Sequence, residues 1–203
     1  MEITAADVKA LRERTGAPMM DCKRALSEAQ GDVVKAEAVL ARQGVAAAAK
    51  KATRAAAEGA IGSYIHAGGK LGVMVEVACE SDFVARTDDF QELAHDLAMH
   101  IAAAGPRFVS REQIAPEALA AERASLRQAA AEANPGKPEA ILDKIADGKL
   151  AKFFEETCLL DQRFIKDDKM TVAELVALKV GKLGENIQVR RYSRFKVGDD
   201  ASA

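Results

Sequence analysis

Over one short stretch, the hydrophobic pattern of this chain changes from that of a strand to that of a helix. Val73, Val75 and Val77 alternate with other residues in the period of two that is typical of a half-buried strand. Further along, Thr87 or Asp88 can cap a helix, and acidic residues fill its first turn. The apolar residues that follow recur at helical spacing: Phe90, Leu93, Leu97 and Ile101. The pattern therefore predicts a strand and a helix joined by a short turn.

The turn between that strand and that helix reads Ser81-Asp82-Phe83-Val84, in which polar residues flank an aromatic one. Connections between elements lie at the protein surface. Phe83 therefore either folds back into the core or is offered to a partner. Because most phenylalanine side chains are buried, its position alone favours the core.

Composition narrows the class of protein. Apolar residues make up 49% of the chain but only 4% are aromatic, and the many alanines favour helix. The 29 basic residues nearly balance the 31 acidic ones, which gives a net charge of −2. This charge does not indicate direct nucleic-acid binding, because proteins that bind nucleic acid usually carry an excess of basic residues. No apolar run is long enough for a membrane span, and the N-terminus lacks the basic and apolar regions of a secretory signal.

Three cysteines, Cys22, Cys79 and Cys158, are far apart and form no Cys-x-x-Cys pair. Their odd number and spacing indicate reduced thiols in a cytoplasmic protein rather than a disulfide framework. We expect Cys158 to be exposed, which leaves an intermolecular disulfide open as an alternative.

The first part of the chain, residues 1–44, predicts three short helices. Thr4 and Asp32 are plausible N-terminal caps, and Pro18 suits the first turn of the second helix. We expect Gly44 to end the third helix. Together the three helices form a small module that resembles the compact fold of ubiquitin-associated domains, which usually bind another protein.

Residues 45–58 are rich in alanine and predict a separate linker helix. Its basic residues Lys50, Lys51 and Arg54 fit either a solvated helix face or an RNA contact. No aromatic residues are interleaved with them, which favours the solvated face.

Alternating strands begin after the linker. Gly68-Gly69 lies between two strand-like runs and suits a tight hairpin turn that needs positive φ. The run from Ile187 to Val197 alternates in the same way and predicts a third strand, antiparallel to the hairpin. The predicted class is α+β, with a three-stranded antiparallel sheet covered by helices.

Residues 116–158 predict two helices joined by Asn134-Pro135-Gly136-Lys137-Pro138, a connection short enough to require an antiparallel pair. The apolar stripe of this helical hairpin is narrow, so we expect it to project from the domain. The predicted domains are residues 1–44, the linker 45–58, a core α+β domain 59–198, and a tail 199–203.

Residues with catalytic potential are present, but their pattern does not make a reaction centre. Cys79 precedes Glu80 and Asp82, which would raise the pKa of its thiol, and a strand cysteine is more often a small core residue. His95 and His100 lack the i, i+4 spacing of a two-histidine metal site on a helix. We therefore expect no catalytic residue, no metal and no cofactor, although a thiol enzyme that uses Cys79 stays an alternative.

Two segments resemble the signatures of one family. Glu80 to Arg86 reads Glu-Ser-Asp-Phe-Val-Ala-Arg and is similar to the Thr-Asp-Phe-Val signature of elongation factor Ts, and Leu11 to Leu26 is similar to that family's other signature. The two motifs stand in the family's order, and the resemblance covers nearly the whole chain. The departures are Pro18, where glycine is common, Ala78, where asparagine is frequent, and Ser81, where threonine is usual.

The resemblance implies a guanine-nucleotide exchange factor for the GTPase elongation factor Tu, and not an enzyme. In that family the Asp-Phe turn contacts the GTPase domain near the elements that hold Mg²⁺ and the phosphates, and the phenylalanine inserts as a wedge. The residues implied for this contact are Ser81, Asp82, Phe83 and Val84. The N-terminal module docks on a helix of the same domain, which implies contacts by Arg12, Met19 and Met20.

Met19 and Met20 have a second interpretation, as core residues. Adjacent side chains on a helix diverge by about 100°, so at most one of the two can point straight at the core. The other is then an adaptable contact for a partner. An adaptor that binds some other cytosolic protein through residues 1–44 stays an alternative function.

We also expect a homodimer. Longer members of the family carry two related core halves in one chain, whereas this chain has one. A three-stranded sheet leaves exposed edges that a second copy can cover. No membrane and no direct nucleic-acid partner is expected.

Overall fold

A computed structural model describes residues 3–199; residues 200–203 of the predicted tail lie outside the described residues. In chain order its elements are α1 (Ala5–Thr15), α2 (Met19–Glu28), α3 (Val33–Lys51), β1 (Glu58–Ile65), β2 (Leu71–Cys79), α4 (Asp82–Ala85), α5 (Asp88–Ala104), α6 (Pro116–Ala133), α7 (Glu139–Thr157), β3 (Arg163–Phe164), β4 (Asp167–Thr171), α8 (Val172–Leu183) and β5 (Gln188–Lys196). The predicted α+β class is confirmed. The chain divides into two compact units, residues 3–99 with 173–199, and residues 100–172.

The three N-terminal helices form as the capping residues indicate. Thr4 and Asp7 make a reciprocal capping box at the start of α1, and Asp32 accepts a hydrogen bond from the N–H of Lys35 at the start of α3. The buried residues that hold the helices together are Val8, Leu11, Cys22, Ala25, Leu26, Ala36, Val39 and Leu40. Their likeness to a ubiquitin-associated domain stays a prediction, as do the predicted domain boundaries. No helix within residues 3–199 combines the length and the apolar character needed to cross a membrane.

The prediction that Gly44 ends the third helix is wrong, because α3 continues through it to Lys51. The predicted separate linker helix is therefore the last part of α3, and the chain is no longer helical just before β1. Gly44 serves a different purpose. A Cβ atom at this position would lie 3.2 Å from the carbonyl oxygen of Ala177 in α8, so glycine allows the two helices to approach closely.

Three strands form one antiparallel sheet in the order β1-β2-β5, as predicted. Gly68 and Gly69 make the tight turn between β1 and β2, with φ angles of 91° and 69°. The β2 residues buried on one face are Val73, Val75 and Val77. The helix α5 passes close to that face, because a Cβ atom on Gly62 would lie only 2.3 Å from the carbonyl oxygen of Ala94.

The opposite face of the sheet is apolar and exposed. Its exposed apolar side chains come from all three strands, and we call this set the open sheet face: Ile61, Ile65, Met74 and Phe195. Ile65 and Phe195 flank Gly72 in the register of the sheet, so their side chains stand in one row. Glu76 and Arg191 form an ion pair of 2.7 Å on the same face.

In the second unit, α6 and α7 form the predicted antiparallel pair. Arg123 pairs with Asp147 at 2.9 Å and Arg127 pairs with Asp143 at 2.8 Å along its surface. At its base, a small core contains Ile114, Phe154 and Cys158. The expectation of an exposed Cys158 is wrong, because its side chain is fully buried, and burial raises the pKa of its thiol.

The strands β3 and β4 form a second, two-stranded antiparallel sheet that the sequence did not predict in full. Arg163 of β3 pairs with Thr171 of β4, and Phe164 pairs with Asp167. β4 reads Asp-Asp-Lys-Met-Thr, and such a polar run carries no alternation of hydrophobic residues. Thr171 ends β4, and α8 starts at the next residue, Val172.

His100 is buried in the second unit as a neutral imidazole. Its Nδ1 accepts a hydrogen bond from the N–H of Ile165 (3.2 Å), so its Nε2 carries the proton that faces Oε1 of Gln162 (3.0 Å). The amide group of Gln162 is oriented in turn by donation to the carbonyl oxygen of Glu156 (2.9 Å). Burial lowers the pKa of His100 below its ordinary value of 6.5, and the bond to Gln162 opposes this shift.

This histidine predicts a pH dependence of stability. Below pH 6.5 this histidine is protonated in the unfolded chain, whereas folded His100 stays neutral until the pH approaches its lowered pKa. The free energy of unfolding therefore falls as the pH drops towards that lowered pKa. The loss from one such group is at most about 1.4 kcal/mol per pH unit. Urea unfolding at pH 7.5, 6.5 and 5.5 measures this loss of stability.

The matched variants are His100→Gln and His95→Gln, since His95 is exposed. We expect His100→Gln to be less stable at pH 7.5 and to have a smaller loss of stability between pH 7.5 and 5.5. His95→Gln should keep the wild-type pH dependence. The same slope in wild type and His100→Gln would contradict this account of His100.

Candidate protein-binding site

The predicted turn at residues 81–84 is a single helical turn, α4, rather than an irregular loop. Phe83 lies on its outer side with 79% of its surface exposed, so it is not a core residue. Val84 is half-buried. Ala85, the last residue of the turn, is buried and anchors the turn. The structure therefore places the aromatic ring on the surface, within a regular element that directs it outward.

The start of α4 is held by a side chain from the far end of the chain. The carboxylate of Glu185 accepts hydrogen bonds from the N–H of Glu80 and the N–H of Ser81, both at 3.0 Å. Its other oxygen accepts from the Ser81 hydroxyl at 2.6 Å. Ser81 Oγ in turn accepts from the N–H of Val84 at 3.4 Å and caps the helix.

The end of α4 is held by residues that begin α5. The hydroxyl of Thr87 donates to the carbonyl oxygen of Val84 (2.8 Å), and the side-chain amide of Gln91 donates to that of Ala85 (2.6 Å). Thr87 Oγ also accepts from the N–H of Phe90, which makes Thr87 the cap of α5. A single helical turn is unstable alone, because its nucleation is unfavourable. Here both ends are fixed by side chains outside the turn.

Asp82 carries the charge of this site. It is half-buried and forms an ion pair of 2.7 Å with Arg86, one turn later on the same surface. Exposed pairs at this spacing contribute about 0.3–0.5 kcal/mol. A cationic or hydrogen-bonding group of a partner can therefore replace Arg86 at little cost in free energy.

A second set of hydrogen bonds connects this site to the end of α3. Glu80 Oε1 accepts from the N–H of Asn186 (2.6 Å) and lies 3.4 Å from the guanidinium of Arg54. The side chain of Asn186 donates to the carbonyl oxygen of Arg54 at 2.8 Å. Lys51 likewise donates to the carbonyl oxygen of Val180. Lys51 and Arg54 thus make contacts within the chain, in addition to the solvated face that the sequence favoured.

Sequence reasoning missed Glu185 and Asn186. They are 104 or more positions from the backbone groups that they bind, and no local pattern marks them. The only signal was Gly184, which ends α8 with a φ of 79° and so forces the chain to turn there.

The residues predicted for the N-terminal contact lie around the connection between α1 and α2. Arg12 is exposed near the end of α1, and Met19 and Met20, at the start of α2, are 46% and 70% exposed. Neither methionine belongs to the core, whose α2 members are Cys22, Ala25 and Leu26. The structure thus places the predicted contact residues on two surfaces of one compact unit, α4 and the α1–α2 connection.

The α1–α2 connection rests against a charged cluster. Gly16 ends α1 with a φ of 67°, and a Cβ atom there would lie 2.9 Å from Nζ of Lys182. Lys182 and Lys179 both donate to Asp89, at 2.6 Å and 3.0 Å. The hydrogen bond from Lys182, followed by that from Lys179, lowers the pKa of Asp89. This cluster supports the connection from α8 and α5.

Cys79 does not have the properties of a nucleophile. Its side chain is fully buried, and its thiol donates to the carbonyl oxygen of Ser81 at 3.1 Å. Burial, with the nearby carboxylate of Glu185, raises the pKa of the thiol. A thiolate is required for nucleophilic attack, so this environment disfavours the thiol-enzyme alternative. Within residues 3–199, no group of three or more His, Cys, Asp and Glu side chains is arranged to hold a metal ion.

An exposed aromatic ring on a fixed turn is typical of a protein-binding surface. Comparison with known proteins identifies which one this chain resembles. A family model described as Elongation factor TS matches residues 37–199. Elongation factor Ts of Koribacter versatilis (strain Ellin345) is 58% identical over 199 residues, covering 98% of this chain and 90% of the relative.

Two further relatives agree. Elongation factor Ts of Solibacter usitatus (strain Ellin6076) is 60% identical over 198 residues, 98% of this chain and 92% of the relative. That of Moorella thermoacetica (strain ATCC 39073 / JCM 9320) is 55% identical over 197 residues, 97% of this chain and 96% of the relative. The chain belongs to the elongation factor Ts family, and its role is in translation elongation.

Proposed function

We propose that this chain binds the GTPase elongation factor Tu in the cytoplasm and promotes the release of GDP, so that GTP can replace it. The observation that carries the proposal is the exposure of Phe83 on a helical turn fixed at both ends. Because the backbone turn that carries the ring is already ordered in the free chain, binding costs little further backbone conformational entropy. Its full burial in a partner contributes about 1.5–3 kcal/mol.

The proposed mechanism is displacement. Mg²⁺ and the phosphates hold the switch elements of a GTPase in place. Phe83 inserts against these elements as a wedge, Asp82 exchanges Arg86 for a group of the partner, and Ser81 and Val84 complete the contact. Because coupling between two ligands is reciprocal, a protein that binds best when those elements are displaced weakens nucleotide binding by the same factor. No covalent step is needed, so in this proposal the chain is an exchange factor and not an enzyme.

The N-terminal helices supply the second contact in this proposal. Arg12, Met19 and Met20 dock on a helix of the same GTPase domain. Exposed methionines suit this role because their flexible, polarizable side chains adapt to a partner surface. Once one contact has formed, the other is intramolecular, so two contacts on one unit bind more tightly than either alone.

Reciprocity gives the test of the proposed function. We expect the chain to bind nucleotide-free elongation factor Tu much more tightly than the GDP complex, and the ratio of the two dissociation constants should equal the factor by which the chain weakens GDP. Isothermal titration calorimetry on both forms measures this ratio. Equal affinity for the two forms would rule out displacement.

We further propose a homodimer through the open sheet face. Four large apolar side chains are exposed there on one surface, and exposed apolar patches mark interaction sites. A second copy of the same face is a self-complementary partner, as two-fold symmetric contacts require. Glu76 and Arg191 lie in the same row of the sheet as Ile61, so they enter such a contact as an ion pair that is already formed.

The dimer proposal predicts the effect of a charge in this face. Phe195→Lys should shift the chain from dimer to monomer, because a buried lysine without a partner is costly to desolvate. Ile141→Lys is the control, since Ile141 is an exposed apolar residue of α7 in the other unit. Sedimentation velocity at micromolar concentration gives the oligomeric state. A wild-type chain that is monomeric at high micromolar concentration would contradict the proposal.

A further inference from the structure

We propose that Glu185 is the positioning residue for Phe83: its carboxylate sets the direction of the Ser81 hydroxyl and so holds α4 in the orientation that presents the ring. The inference rests on the proposed function, which it deepens. Glu185 lies in the connection between α8 and β5 and reaches Phe83 only through Ser81 and the backbone before α4.

The hydrogen bonds of Ser81 define this role. A serine hydroxyl has one proton to donate and two lone pairs that accept. The ionised carboxylate of Glu185 can only accept, so the Ser81 proton points to it along the 2.6 Å contact. The lone pairs of Oγ are then left for the N–H of Val84, the bond that caps α4. Glu185 therefore orients the Ser81 hydroxyl so that its proton points away from Val84 and its lone pairs stay available for the cap.

Glutamine at position 185 cannot make the same set of bonds. Its single carbonyl oxygen can accept from the N–H groups of Glu80 and Ser81, as the carboxylate does. Its NH₂ group then faces Ser81 Oγ as a donor, where the structure has an acceptor. The hydroxyl proton loses its partner, and the cap on Val84 changes geometry.

The hydrogen bond to Glu185 requires only a hydroxyl group at residue 81. This requirement concerns one of the departures from the family pattern. Serine stands here in place of the usual threonine. Both side chains carry a hydroxyl on Cβ and offer the same donor and acceptors. The substitution therefore keeps the bond to Glu185 that the positioning role requires.

Glu185→Gln tests the inference. At saturating concentration of the chain and well below its melting temperature, we expect stimulated GDP release from elongation factor Tu to be about tenfold slower than with wild type, since charge-assisted bonds are the strong ones. Glu155→Gln removes the same charge from an exposed position of α7 and is the matched control. Should Glu185→Gln fail to fold, Glu185→Asp, which keeps the carboxylate but withdraws it from Ser81 by one methylene, carries the test.

A double-mutant cycle separates positioning from a general loss of stability. If Glu185 acts through the Ser81 hydroxyl, Glu185→Gln should slow release by no more than about twofold when it is added to Ser81→Ala. Effects that multiply fully would mean that the two residues act independently, and they would overturn the inference.

Two readouts of position do not depend on the exchange assay. The amide proton of Val84, whose bond to Ser81 Oγ caps α4, should exchange with solvent faster in Glu185→Gln, as measured by NMR, while those of Val73 and Val75 should not. The chain contains no tryptophan, so Phe83→Trp provides a single tryptophan on α4, whose anisotropy, excited selectively over the two tyrosines, should fall when Glu185→Gln is added.

The outcomes distinguish this inference from the proposed function. If the wild-type chain does not stimulate GDP release, the proposed function fails, and amide exchange and anisotropy still decide whether Glu185 orders α4. If the wild type stimulates release but Glu185→Gln matches it in rate, amide exchange and anisotropy, the positioning role is wrong and the proposed function stands.

Discussion

Phe83→Ala is expected to abolish most of the stimulated GDP release from elongation factor Tu while leaving the fold nearly as stable. The ring is exposed, so its truncation removes few contacts within the chain, and exposed substitutions change stability by about 0.5 kcal/mol or less. In the complex the same truncation removes the wedge. Each ~1.4 kcal/mol of lost coupling slows release tenfold. Release of labelled GDP and thermal unfolding on the same preparation measure both effects.

Phe90→Ala is the matched control for this experiment. Phe90 is fully buried in the next helix, α5, so the same truncation there should cost about 3–5 kcal/mol of stability. The two variants therefore separate a binding role from a core role. A Phe83→Ala protein with a large drop in melting temperature and normal release at low temperature would refute the wedge.

Gly62→Ala is expected to be strongly destabilising although it adds a single methyl group. The new Cβ would lie 2.3 Å from the carbonyl oxygen and 2.6 Å from the carbonyl carbon of Ala94, so the backbone of α5 must move away from the sheet. Forcing extra volume into a packed core costs about 1–3 kcal/mol or more. For a chain of this size each kcal/mol lowers the melting temperature by about 2–4 °C.

The same substitution at Gly148 is the control and should have the opposite sign. Gly148 lies within α7, and apart from its chain neighbours and the backbone of its own helix no atom lies within 4 Å of a Cβ placed there. Alanine in the interior of a helix is more stable than glycine by about 0.8–1.0 kcal/mol. Calorimetry of both variants measures the two shifts. Equal melting temperatures for Gly62→Ala and wild type would contradict the close approach of α5 to the sheet.

Local patterns predicted the elements that build the site. The period-two run at Val73–Val77 and the helical spacing from Phe90 onward correspond to β2 and α5, and Thr87 caps α5 as expected. Such patterns work because strand and helix each place every side chain at a fixed angle to its neighbours. The exposure of Phe83 was not decidable in this way, because position favoured the core and only the family resemblance favoured the surface.

Contacts between distant parts of the chain were not predictable. Gly44 has the local signature of a helix stop, yet it lies inside α3, at the point where Ala177 of α8 approaches the helix. Glu185 has no signature at all, since its partners at Glu80 and Ser81 are backbone groups and a hydroxyl far away in sequence. Where tertiary packing decides the end of a helix or the partner of a hydrogen bond, the periodicity of the sequence does not indicate it.

The most direct test of the account is the rate of GDP release itself. Elongation factor Tu loaded with fluorescently labelled GDP is mixed in a stopped-flow instrument with excess unlabelled GDP, with and without this chain. We expect the release rate to rise with the concentration of the chain and to reach a plateau when elongation factor Tu is saturated. A release rate that is the same at every concentration of the wild-type chain would contradict the proposed function.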